Sequence, residues 1–310
     1  MTTTFDFNDG NGPVPAHEHP NGGGWVADTA KVDKSAYIGR YAMVYDNAMV
    51  YDNARVFDDA KVFGDAIVYE NAKVYGSASV YDNARVFGDV RVFGDAMVYD
   101  NAEVYGNAKV YDNAMVYGSP IVYGNAEVYD NAMVYDNAMV YDNAWVYGDA
   151  KVFGDAKVFG DAMVYGSARV YDNSKVFGDA RVFGDAMIYD NAMVYDNARV
   201  YNNVKVFDNA KVFGSARVYG SAMIYNSAMV FCDARVFGDA RVFGDAMVYD
   251  NAWVYGSARV YDNVKVFGDA TVFSDTCHRS SDRAEKSDTN EGIFIEMNGK
   301  RYKLVEVEKS

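Results

Sequence analysis

Residues 42–65 read AMVYDN-AMVYDN-ARVFDD-AKVFGD, four hexapeptides in which an alanine, a valine and an aromatic keep fixed places while the second residue changes. Stepping by six from Val26 reaches Val32, Ile38 and Val44 and continues to Val272, giving 42 aliphatic positions without one insertion or deletion. Two residues before each aliphatic stands a small side chain, Ala almost throughout, with Val90, Pro120, Ser174, Val204 and Val264 as the internal exceptions. The unit is A-x-V-[YF]-[DGN]-[NDS], and self-similarity this strict marks a repeat architecture.

In a strand, successive side chains point to opposite faces, so Ala and Val share one side while x and the aromatic share the other. The x position carries Arg55, Lys73, Glu103 and Lys151, charged groups that belong in water, which puts Ala and Val inside. The two residues after the aromatic come from Asp, Asn, Gly and Ser, which tolerate left-handed backbone angles or bond their own main chain. Each hexapeptide is therefore a short strand and a corner. One Val and one Ala bury too little apolar surface to order six residues, so the strands must stack on neighbouring copies. Three hexapeptides per triangular coil give about 14 coils spaced at about 4.8 Å, an array in which each coil touches only its neighbours.

An aliphatic every sixth residue with a small residue two before it resembles the hexapeptide-repeat family of left-handed parallel β-helices, over residues 24–276. The resemblance implies an all-β fold, a single left-handed parallel β-helix. Tyr or Phe stands where that family often has a second small residue. The stretch NGGGWVADTA at residues 21–30, followed by such an array, also resembles phage and prophage repeat proteins of unassigned role.

Outside the array, residues 1–23 are rich in Gly, Pro, Asn and His and read as an irregular lead-in over the first coil. Residues 277–292 have the composition of a polar linker. Residues 293–308 contain two strand-like runs around Asn298-Gly299, a favoured two-residue turn, and read as a C-terminal β-hairpin that caps the last coil or docks elsewhere.

The net charge of −15 argues against direct nucleic-acid binding, which needs clustered Lys and Arg to displace counterions. Cys232 and Cys277 offer neither a disulfide framework nor metal-ligand spacing, and His17 and His19 lack a third ligand nearby. No cofactor and no metal is expected. With no signal-like N-terminus and no apolar run of membrane-spanning length, a cytoplasmic or virion-associated protein is expected.

Steps of 18 sort the outward x residues onto three faces. One carries Met97, Met115 and Met133, and a second carries Met49, Met139 and Met193. The third is more basic, running from Arg55 and Lys73 to Trp145 and then through Arg181, Arg199, Arg217 and Arg235 to Trp253. Exposed Met suits adaptable contact surfaces, so Met97, Met115, Met133, the four arginines, Trp145 and Trp253 are the candidate binding residues. The aromatic columns have two readings, a self-stacked ladder or a surface for protein or glycan. Corner Asp and Asn columns are solvated turns or, alternatively, Ca²⁺ sites.

Three functions compete on this reading. A non-catalytic structural or binding protein, self-associating as a dimer or trimer or holding a protein or glycan partner, explains the periodicity and the missing chemistry together. The family resemblance implies acyltransferase activity instead, but no His and no inserted loop occurs between residues 26 and 272. An acidic inhibitor mimicking DNA would need continuous negative faces, and the Lys and Arg columns interrupt them.

Overall fold

The computed structural model describes residues 3–273 throughout and, beyond them, the backbone of strands Thr276–Cys277, Arg283–Lys286, Ile293–Met297 and Lys300–Lys303. Two compact units make up the chain, Met1–Asp155 and Ala156–Ser310. Each is a parallel β-solenoid, and their turns number about 14 in all. Among the described residues there is no α-helix, and so none long and apolar enough to cross a membrane.

Most strands of the array are only two residues long, the x residue and the aliphatic after it, and within each unit the described strands of the array pair at a step of 18 residues. In the first unit Met97 lies opposite Met115, Ile121 opposite Met139 and Lys109 opposite Glu127, one pair from each of three faces. The second unit repeats the step with Met187 opposite Lys205, Met229 opposite Met247 and Arg181 opposite Arg199. Each coil hangs from the next by backbone bonds such as Met97 N–H to the Ala114 carbonyl and Tyr99 N–H to the Val116 carbonyl, both 3.0 Å.

Inside each unit the Ala and aliphatic columns are buried, apart from Ala30 and Val32 of the first coil, which are partly exposed. Ala138, Val140, Ala216 and Val218 are all 0% exposed. The exceptional Val90 and Val204 are equally buried, so the lumen accepts a larger side chain at intervals. Ser174 also points inward, and its hydroxyl lies 2.8 Å from the Tyr171 carbonyl and 3.2 Å from that of Ile188, so the buried polar atom has partners.

Corners turn by placing the residue after the aromatic in the left-handed region. Asp46, Asp100 and Asp130 sit there at φ of 56° to 57°, and Gly88 at 84°. A side chain at Gly88 would bring its Cβ within 2.6 Å of the Gly106 carbonyl oxygen in the next coil. Aspartate tolerates the left-handed angle and also caps the coil above: Asp46 Oδ2 accepts from Gly64 N–H at 3.1 Å and Asp100 Oδ2 from Gly118 N–H at 3.0 Å.

The aromatic columns are continuous stacks. In the first unit the centroids from Tyr45 through Phe63, Tyr81, Tyr99, Tyr117 and Tyr135 to Phe153 are 4.7 to 5.0 Å apart, within 6° of parallel. Ring planes face one another, which leaves mainly ring edges toward solvent. Burial in these stacks, followed by neighbouring phenols and corner aspartates, raises Tyr81 and Tyr129 from the ordinary phenol value to about 12. Tyr189 rises to about 12 for the same reasons in the second unit.

The N-terminal segment is not the irregular lead-in that its composition suggests. Thr4–Phe5 pairs antiparallel with Val14–Glu18, which pairs antiparallel with Trp25–Ala27, the first strand of the Met97 face. Coil one lacks an aromatic at Ala27, and Phe7 supplies it from outside the repeat, stacking 4.9 Å from Tyr45. Phe5 stacks 4.4 Å from Trp25, and Phe7 is 1% exposed. Burying these rings, the largest apolar groups of the segment, is what holds it against the solenoid. At the other terminus Arg283–Lys286, inside the stretch with a linker's composition, pairs parallel with Lys265–Val266 and antiparallel with Ile293–Met297. Ile293–Met297 pairs antiparallel with Lys300–Lys303, and the expected turn pair Asn298-Gly299 lies outside the described residues.

Two outcomes follow from this packing. Val140→Asp places an unpaired carboxylate in the sealed lumen and should cost about 3 kcal/mol or more, whereas the outward Met115→Lys should change stability by less than about 0.5 kcal/mol; urea melts followed by circular dichroism compare them. Because the ladder tyrosines hold their protons to higher pH than in the unfolded chain, their contribution to stability is intact below about pH 10 and drains away toward about pH 12. Phenolate absorbance should accordingly rise together with loss of β-sheet signal; ordinary titration near pH 10 with the fold unchanged would mean open, solvated ladders.

Candidate functional site

Because the side-chain period is two, every strand presents its x residue outward with a corner residue on one side and an aromatic on the other. An x column is therefore a strip one side chain wide between a polar corner and a ring ladder. What such a strip can do depends on what stands in it.

Met97, Met115 and Met133 occupy consecutive coils of the first unit, as the 18-residue step requires. Beside them run Tyr99, Tyr117 and Tyr135, with centroids 5.0 Å apart. All three methionines are only half-exposed. The strip is apolar but shallow.

On the basic face of the first unit, the column of Arg55, Lys73, Arg91 and Lys109 ends at Glu127, whose carboxylate lies 2.7 Å from the Lys109 ammonium. Glu127 also accepts a hydrogen bond from the Tyr111 hydroxyl at 3.0 Å. Burial, that bond and the nearby carboxylate charge together push the Tyr111 phenol well above its ordinary range, so it stays a donor. Trp145 closes the face, standing edge-on to Tyr129 at 6.4 Å and 39% exposed.

The second unit differs. Arg181, Arg199, Arg217 and Arg235 stand in four consecutive coils, and the described residues place none of them in an ion pair. The three ion pairs that are described, His17–Asp28, Arg85–Glu103 and Lys109–Glu127, all lie in the first unit. Neighbouring rings Phe183, Tyr201, Tyr219 and Phe237, spaced 4.8 to 5.1 Å, set the pitch of the arginine ladder. Three of the arginines are exposed, and the guanidinium of Arg235 lies 4.8 Å over the ring of Trp253. Trp253 is 40% exposed and edge-on to Phe237, so like Trp145 it stands outside the ring stack. Like charges repeated at this pitch repel, and water and counterions must offset that unless an anionic partner does.

The corner Asp and Asn columns, read from the sequence as solvated turns or Ca²⁺ sites, form a groove at one place. The corner between the basic face and the Met97 face of the first unit is a groove lined by Asp95, Asp112, Asp130 and Asp149, one carboxylate per coil, with Asn113 and Asn131 between them. Asn113 donates to Asn131 Oδ1 at 3.2 Å, and Asn131 to Asp149 Oδ1 at 3.0 Å. The run of acids is visible in the sequence only when both corner positions of each coil are taken together, Gly94-Asp95, Asp112-Asn113, Asp130-Asn131 and Gly148-Asp149.

The two histidines near the N-terminus serve local structure. His17 pairs with Asp28 at 2.9 Å, while His19 is 3% exposed with Nδ1 3.3 Å from Asn21 N–H. Among the described residues no group of three or more His, Cys, Asp or Glu is arranged to hold a metal ion.

No curated protein matches the chain. The family model described as the YdcK beta solenoid repeat matches five stretches, residues 108–124, 134–148, 156–172, 186–206 and 240–256, which together cover less than half of the sequence. All five fall inside the hexapeptide array, two in the first unit and three in the second. The match and the coiled, ladder-bonded architecture agree that the chain is a β-solenoid repeat protein.

Proposed function

We propose that the protein is a non-catalytic structural or binding scaffold, which uses its outward side-chain ladders to associate with further copies of itself or with a protein partner. The observation that carries this reading is the arginine ladder of the second unit, four charges at one pitch without an ion-pair partner among the described residues. A solenoid has no need of such a column for its own stability, since its coils are held by backbone bonds, the sealed lumen and the ring stacks.

Catalysis finds little support in the same surfaces. The array contains no His, and its hexapeptides turn without an inserted loop that could wall a substrate pocket. A glycan partner is disfavoured because sugars stack on ring faces, and the ladder spends its faces on its own neighbours. Trp145 and Trp253 are the exposed rings standing edge-on to the ladders, one in each unit. The likeness of residues 21–30 and the array after them to phage repeat proteins supports a phage-encoded origin, in a cytoplasmic or virion setting.

Light scattering behind a sizing column, over a wide concentration range, should give a mass above the 34.3 kDa of one chain as concentration rises. Titration with acetyl-coenzyme A should give no binding isotherm. Micromolar binding of that acyl donor, with turnover in the presence of an amine or hydroxyl acceptor, would replace the scaffold reading by an acyltransferase.

A further inference from the structure

Resting on the scaffold reading, we infer that the arginine ladder of one copy docks on the acidic corner groove of a second copy. The ladder is Arg181, Arg199, Arg217 and Arg235 in the second unit; the groove is Asp95, Asp112, Asp130 and Asp149 in the first. Each offers one charge per coil over four consecutive coils. The charges are opposite, and the numbers match.

Pitch is the stronger argument. Rings beside the arginines repeat at 4.8, 5.1 and 4.8 Å, and those beside the groove, from Phe93 through Tyr111 and Tyr129 to Tyr147, at 4.8 Å throughout. Coils with one repeat stay in step along their whole length, and each coil of the groove offers one carboxylate, Asp112 and Asp130 from the first corner position and Asp95 and Asp149 from the second, so each arginine meets one acid. An irregular acidic surface or an extended peptide, whose same-side groups lie two strand rises apart, falls out of step after the first contact. The partner whose carboxylates are certain to keep this pitch is another β-solenoid, and a second copy is such a partner.

Chemistry on each side suits the contact. Arginine binds carboxylates through paired N–H donors and is more weakly hydrated than lysine, so it loses less on leaving water. Asp95, Asp112 and Asp149 are exposed, while Asp130 is half-buried and already accepts from Gly148 N–H at 3.1 Å, which holds its carboxylate in the row. The contact joins unlike surfaces, so two copies close as a two-fold dimer where ladder and groove meet reciprocally, and further copies add as a ring or an open chain where they do not. Single exposed ion pairs are weak, so the four act as a set and depend strongly on salt.

Charge reversal tests this directly on the full chain. One variant carries Arg181→Glu, Arg199→Glu and Arg217→Glu, sparing Arg235 because it packs on Trp253. The other carries Asp95→Lys, Asp112→Lys and Asp149→Lys, sparing Asp130 because it caps a backbone N–H. Sedimentation velocity should show the unaltered chain growing in mass with concentration at about 0.15 M salt and returning to one chain at about 1 M, where the screening length falls to about 3 Å. Each variant alone should remain a single chain, with β-sheet signal and melting temperature close to the parent. An equimolar mixture should associate again, because the new Glu ladder meets the new Lys groove. Association that survives in either variant, or that persists at about 1 M salt, would overturn the docking in favour of an apolar contact through Met97, Met115 and Met133. A chain that stays single at every concentration, or a silent mixture of two folded variants, would overturn it as well. A chain that stays single would also take self-association out of the scaffold reading and leave it a foreign protein partner, whereas acyl-donor binding with turnover alone would replace that reading by catalysis.

Discussion

Everything in this molecule hangs on the backbone bond from one coil to the next, repeated at a fixed step of 18 residues. A strand of two residues has no independent stability, and two bonds plus one valine would not hold it in isolation. Held between the strand before and the strand after, the same residues are over-determined. The constraint is severe because a slip of one residue along the chain would turn every inward valine to solvent and every outward arginine into the lumen. An odd-numbered insertion inside a strand carries that penalty, and 42 aliphatic positions follow one another without a gap.

Once the step is fixed, the rest of the surface follows as columns. Tyr and Phe become stacks, Asp at the corner finds the N–H of the coil above, and glycine stands where a Cβ would strike backbone, as at Gly88. The same rule that stabilises also limits. A column of one charge repels itself, and the two units answer this differently: the first ends its basic column on Glu127, and the second ends its arginines on Trp253. Only the first of these answers neutralises charge.

Much of this was legible in the residues because the repeat turns a three-dimensional question into arithmetic. Period two decided which side of each strand faced inward, and Arg55 and Lys73 at the x position settled it; steps of 18 then assigned Met97, Met115 and Met133 to one strip. What escaped lay where the repeat stops or where one side chain does another's work. Nothing in residues 1–23 shows that Phe7 would fill the gap left by Ala27, because that substitution joins positions that no period relates. The depth of the Met strip was hidden too, since counting methionines does not show how far each leans on its neighbours. The residues left the aromatic columns with two readings, a self-stacked ladder or a partner surface, and the near-parallel ring planes decide for the stack. The acidic groove was present in the corner residues all along but emerges only when corners are sorted by coil.

The relation between six and 18 also shapes how such a chain can change by duplication. Gaining or losing a whole coil lengthens each column and leaves its neighbours undisturbed. A single hexapeptide gained between Arg199 and Arg217 would preserve every inward valine, and the fold would survive, yet Arg217 and Arg235 would move round by one face and leave the row that Arg181 and Arg199 began. Folding tolerates steps of six; a surface written in columns tolerates only steps of 18. Selection on length in the second unit can therefore separate a lineage that needs only the solenoid from one that needs its arginine row.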